Sequence, residues 1–114
     1  MTAQQARSAM LAYRGADARD AYGGLQQIKH LYLGATLEGQ AEMRRVIAEW
    51  LTSREASDLY DGLWLTDELR LTENVPRLRE LLAEAEHRND HEAPFVWSKI
   101  NGILARVLSA DSQQ

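Results

Sequence analysis

Apolar positions recur at intervals of three and four along most of the chain, the spacing of helices that each bury one face. The clearest case is about 39 to 51, where Met43, Val46, Ile47, Trp50 and Leu51 share one side and Glu42, Arg45 and Glu49 fall on the other. Residues about 74 to 87 repeat the pattern with Val75, Leu78, Leu81, Leu82 and Ala85 inward, while Arg77, Glu80 and Glu84 stand at ion-pair spacing outside. A last helix over about 93 to 109 carries Val96, Ile100, Ile103, Leu104, Val107 and Leu108 on a wide apolar face, with Asn89 or Asp90 as its cap. Pro76 and Pro94 each fall in an opening turn, where a missing N–H leaves no intrahelical bond unmade. Two weaker helices, about 3 to 14 and 18 to 34, come first. Gly23-Gly24 within the second marks either a break or a close approach by another helix.

The segment of about 54 to 71 departs from this simplicity. Ala56, Leu59, Tyr60, Leu63, Trp64 and Leu71 form one apolar arc, which predicts the buried side, with Asp67 near its middle. At about 100° per residue, Asp58, Asp61, Leu65, Glu68 and Leu69 gather into a separate stripe on the order of 100° wide, acidic with leucines in it. An Asp67 inside the arc needs partners, and the N–H groups opening the next helix, around Glu73 to Val75, are the expected ones. Five acids and no base lie between Glu55 and Glu68.

Connections are only a few residues long, so consecutive helices are expected to pack antiparallel. Leucine and alanine fill 32 of the 114 positions and valine with isoleucine eight, a balance that favours helix over strand. The expected fold is all-α, about six helices in antiparallel hairpins, and the length suits a single domain over 1–114. Within it, 1–37 form the N-terminal helices, 38–110 the main stack and 111–114 a frayed tail.

The stretch LWLTDELRLTENVPRLRELL from Leu63, followed by APFVWSKINGILARVL from Ala93, resembles the helix-turn-helix unit of HEAT-like repeats. Val75, Pro76, Leu78, Leu81 and Leu82 match the pattern that opens the second helix of such a unit. Pro94, Val96, Ile100, Ile103 and Leu104 resemble the opening of the next. The resemblance covers about 63 to 107; it departs at Trp97, where an arginine is common, and at the turn, which lacks the usual Gly-Asp. It implies a HEAT-like α-α stack whose helix faces bind protein partners, with 1–37, where no similar motif is visible, as either a divergent cap or a different helical arrangement.

Thirteen basic against seventeen acidic residues give a net charge of -4, a poor match to nucleic-acid phosphates. The absence of cysteine excludes disulfides, thiolate metal sites and cysteine nucleophiles. No 18-residue apolar run occurs, and Arg7, Arg14, Asp17 and Asp20 stand where a signal peptide would be apolar, so a cytoplasmic protein without membrane contact is expected. Eleven arginines against two lysines fit a GC-rich bacterial or phage genome.

Enzyme motifs are absent: there is no phosphate-binding glycine loop and no serine in a nucleophile-elbow context. His87 and His91, with Glu84, Asp90 and Glu92, have the types for an N/O metal shell. Asn89-Asp90 and Pro94 predict instead that the helix ends between the histidines, so this segment reads as a loop and no metal or other cofactor is assigned. Asp17 and Asp20 read as helix caps and His30 as a structural histidine. Trp50, Trp64 and Trp97 each adjoin an apolar face and read as core, with Trp97 partly exposed.

These features together predict a small acidic protein-binding module, not an enzyme, of the inhibitor or immunity type, which neutralises a toxin or effector by covering a basic surface. Asp58, Asp61, Leu65, Glu68, Leu69 and Trp97 are the expected partner-binding residues, leucine anchors within an acidic rim. The alternative is an adaptor or subunit of a larger assembly, or a homo-oligomer in which Leu65 and Leu69 of two copies meet. A metal-binding protein using His87 and His91 ranks third. A DNA-binding helix-turn-helix ranks last, because Arg77 and Arg79 share their helix with Glu80, Glu84 and Glu86.

Overall fold

A computed structural model describes residues 2–16, 21–87 and 93–112. Among them the fold is all-α: α1 (Ala3–Ala16), α2 (Ala21–Gly34), α3 (Leu37–Leu51), α4 (Ala56–Leu69), a 3-10 turn (Thr72–Asn74), α5 (Val75–Glu86) and α6 (Ala93–Ser112). The backbone divides into two compact units, Met1–Leu65 and Thr66–Gln114, with the division inside α4.

In the first unit the helix starts are written in short polar side chains. Thr2 and Gln5 bond reciprocally, Gln5 N–H to Thr2 Oγ1 at 3.1 Å and Thr2 N–H to Gln5 Oε1 at 2.9 Å, a capping box that opens α1. Thr36 Oγ1 accepts from Gly39 N–H at 3.1 Å and opens α3 two residues earlier than the apolar periodicity alone predicts. Contacts between α1 and α3 advance in step: Ala3 N–H meets Glu38, Ala6 lies beside Gly39, and Arg7 pairs with Glu42 at 2.8 Å. The two helices therefore run in the same direction. The start of α2 lies beside the end of α1, and its end beside the start of α3, where the Tyr32 carbonyl accepts from Gln40 Nε2 at 2.9 Å. It thus runs antiparallel to both, as its short connections require. Ala6, Met10, Ile28, Met43, Val46, Ile47 and Leu51 fill the core between these helices.

α2 runs unbroken through Gly23-Gly24. A methyl group at Gly24 would stand 2.7 Å from the Tyr13 carbonyl oxygen, so hydrogen is the only substituent that lets the two backbones approach this closely.

In the second unit the end of α4 closes by a Schellman motif. Leu71 N–H reaches back to the Thr66 carbonyl at 3.1 Å and Arg70 N–H to the Asp67 carbonyl at 3.4 Å. Arg70 adopts φ 52°, the left-handed conformation that glycine usually fills. Arginine holds it with its side chain folded back onto Asp67. Beneath the turn, buried Thr66 accepts from Asn74 Nδ2 at 3.1 Å. This pair meets the polar requirement expected of Asp67, which lies instead at the surface and is forked by Arg106 at 2.8 and 2.9 Å. α6 returns antiparallel to α5: Trp97, near its start, reaches Glu86 at the end of α5, and α6 also meets the 3-10 turn that precedes α5. Val75, Leu78, Leu81, Val96, Ile100, Ile103 and Val107 form the core, while Leu108, expected on the apolar face, is exposed.

Gly24→Ala should lower the melting temperature, because overpacking against a carbonyl costs roughly 1–3 kcal/mol and outweighs the roughly 1 kcal/mol of helix propensity gained. Gly34→Ala, with no atom within 4 Å of the added methyl, should instead be neutral or stabilising. Arg70→Gly should raise the melting temperature, since relief of about 1 kcal/mol of left-handed strain exceeds the few tenths contributed by an exposed i,i+3 pair. Thermal unfolding of the three variants checks these signs.

Candidate functional site

The six sequence-predicted partner residues fall into three different situations. α4 is turned about its axis by roughly a third of a turn from the expected orientation, as the 100° spacing of its buried positions shows. Gly62, Leu63, Leu65 and Thr66 face inward, while Ala56, Ser57, Tyr60 and Glu68 are exposed and Trp64 is half-buried. Leu65 has 0% of its surface accessible, which corrects its assignment as an exposed anchor and removes the homodimer in which it would meet its copy. Leu69 is half-buried.

The reason lies in α1. Arg14 donates through Nε to Asp61 at 2.7 Å and pairs through a terminal nitrogen with Asp58 at 2.5 Å. Its guanidinium stacks 4.5 Å from the centre of the Trp50 ring. Ser53 Oγ donates to the other oxygen of Asp58 at 2.7 Å and accepts from Glu55 N–H at 3.1 Å at the entry to α4. Asp58 and Asp61 are therefore structural members of the first unit, tied to an internal cation that cancels one of their two charges. Beside them Gly62 has no side chain to hold the helix off Trp50 and Leu51, which lie 3.1 to 3.3 Å from where its Cβ would be.

The two carboxyl groups titrate in opposite senses. The Ser53 hydroxyl and then Arg14 hold Asp58 below the usual carboxylate range, whereas burial pushes Asp61 up against the pull of Arg14.

Glu68 and Trp97, both in the second unit, are exposed. Trp97 keeps 39% of its surface accessible, and its indole N–H donates to Glu86 Oε1 at 3.3 Å. Glu86 makes no second hydrogen bond or ion pair with another described residue, so its charge is aimed along the edge of a half-open ring. Glu80 and Glu84 are exposed on the same helix and share Arg77 at 2.9 and 3.4 Å. The acidic excess is concentrated here: residues 66–114 hold nine acids against six bases, and residues 1–65 eight against seven.

Sequence reasoning missed several exposed apolar side chains. Phe95 stands out from the first turn of α6; Leu33 and Leu37 flank the connection between α2 and α3, and Leu11 lies on the outer face of α1. The signal was present for Leu37, which follows a Thr-type cap and so falls at a first helical position with no inward neighbour. His87 caps the end of α5 and is exposed, while His91, Asp90 and Glu92 lie outside the described residues, as do Asp17, Asp20 and Asn89. Among the described residues, no group of three histidine, aspartate or glutamate side chains could hold a metal ion, and no helix is long and apolar enough to cross a membrane. No family model matches the chain, and no curated protein or solved structure matches it either.

The sign of the pH dependence follows from the two shifts. Asp61, raised in the folded state, costs stability at neutral pH, and that cost is relieved as the pH falls through its folded value. Asp58, lowered, contributes stability that is lost as the pH falls further through its own folded value. Urea midpoints measured from neutral to acid pH should therefore rise slightly and then fall. Asp61→Asn should remove the rise and Asp58→Asn should reduce the fall.

Proposed function

We propose that this chain is a small protein-binding module, without catalytic activity of its own, that covers a basic surface on its partner in the manner of an inhibitor or immunity protein. The observation that carries the reading is the Trp97–Glu86 pair: a half-exposed indole, fixed in orientation by a carboxylate, on the unit that holds most of the negative excess. Aromatic anchors set among like charges are the features on which interfaces concentrate affinity and selectivity. Glu86, with Glu84 exposed on the same helix, supplies the acidic surroundings, and the docking surface accordingly lies on the second unit rather than on the predicted stripe of α4. A HEAT-like arrangement, proposed from the residues around the Val75-Pro76 opening of α5 and the Pro94 opening of α6, would suit this role, since such helix faces bind protein partners.

A second reading, self-association, is favoured by Leu33 and Leu37, two exposed leucines at one turn of the first unit. Light scattering after size exclusion distinguishes it, with a dimer that Leu37→Glu dissolves as the supporting result.

Capture from a native lysate tests the main reading when variants are run in parallel. The expected result is a stoichiometric basic partner retained at low salt and lost at moderate salt. Trp97→Ala should weaken binding by about tenfold or more, as truncation of an interface anchor does, and Asp61→Asn should leave it unchanged. Equal capture by wild type and Trp97→Ala would remove the second-unit surface from consideration.

A further inference from the structure

We infer that the side chain seated at Trp97 is an arginine of the partner, its guanidinium stacked on the open indole face and forked onto Glu86. This rests on the proposal that the second unit docks a basic surface, and it specifies the cation. Two observations support it. The first is that the chain builds the same triad internally: in the first unit a guanidinium stacks on Trp50 at 4.5 Å while its nitrogens reach the carboxylates of Asp58 and Asp61 at 2.5 and 2.7 Å. Indole face, in-plane donors and acidic oxygens are satisfied together by one planar cation, and a lysine ammonium satisfies only the charge. The second is that Trp97 and Glu86 supply two of the three parts, and no described residue takes the third place. The indole N–H engages Glu86 Oε1 at 3.3 Å, and the second carboxylate oxygen has no partner among the described residues. The ring remains 39% exposed, in a unit whose acids exceed its bases. A guanidinium lying on the ring can donate to that free oxygen without breaking the N–H bond that orients the indole.

Among the described residues, neighbouring cations do not fill the place. Arg77 is shared by Glu80 and Glu84, and Arg106 is forked by Asp67. Lys99, two residues beyond Trp97, projects from a different side of α6, about 200° around the helix.

The test uses the intact protein, labelled with nitrogen-15, and two capped peptides of equal length and charge, one alternating glycine with arginine and the other glycine with lysine. The indole N–H resonance of Trp97, identified by its disappearance in Trp97→Phe, reports the site directly. At low salt the arginine peptide should move this resonance and bind about fivefold more tightly than the lysine peptide, the fold-change corresponding to a partly exposed cation–π contact. Glu86→Gln, which keeps an oxygen acceptor for the indole N–H, should abolish that preference while the melting temperature stays the same. If both peptides move the resonance with equal affinity, the arginine assignment falls and the acidic docking surface stands. If neither peptide moves it, the docking surface falls as well.

Discussion

One guanidinium decides which way α4 faces. Arg14 reaches from α1 to a tryptophan of α3 and to two aspartates of α4, so that three helices of the first unit are registered by a single side chain. Two half-buried carboxylates one turn apart repel, and without a cation between them the side of α4 that bears them would turn to water. With Arg14 in place, the same side is brought toward the protein, Leu65 follows it into the core, and Tyr60 is left outside. The neighbouring Gly62 and Ser53 act in concert, the first by allowing close approach and the second by closing the entry turn.

This explains what was and was not legible in the sequence. Helices with a local, one-sided pattern, such as α3 and α5, lie within two residues of their expected limits because apolar periodicity and capping act over a few positions. The buried residues of α3, Met43, Val46, Ile47, Trp50 and Leu51, are the ones its pattern singles out. The orientation of α4 was not legible, because it depends on an arginine 47 positions before Asp61. An acidic residue read by itself is assigned to solvent, and only its distant partner reveals otherwise. Asp67 shows the converse. Its place on the helix suggested burial, yet Arg106 holds it at the surface, while Thr66 and Asn74, which carried no obvious signal, do the polar work inside.

The candidate site was legible in one respect. Trp97 departs from the HEAT-like pattern at the position where an arginine is common, and a bulky aromatic at an outward position needs either a neighbour or a ligand. Glu86 is that neighbour, and it lies at the far end of the preceding helix, where the hairpin and not the sequence spacing brings the two together. The division of charge between the units was also readable by counting, but its meaning depended on learning that Asp58 and Asp61 are spoken for.

The crossing of α1 and α2 at Gly24 carries a consequence for temperature. A contact made between a glycine α-carbon and the carbonyl of Tyr13 freezes no rotamers when it forms. Elsewhere in the first unit, at Arg7 and Arg14, joining helices means immobilising long side chains, and that entropic penalty grows with heating. The backbone crossing escapes this side-chain part of the penalty and carries instead the larger backbone cost of holding two adjacent glycines in a helix.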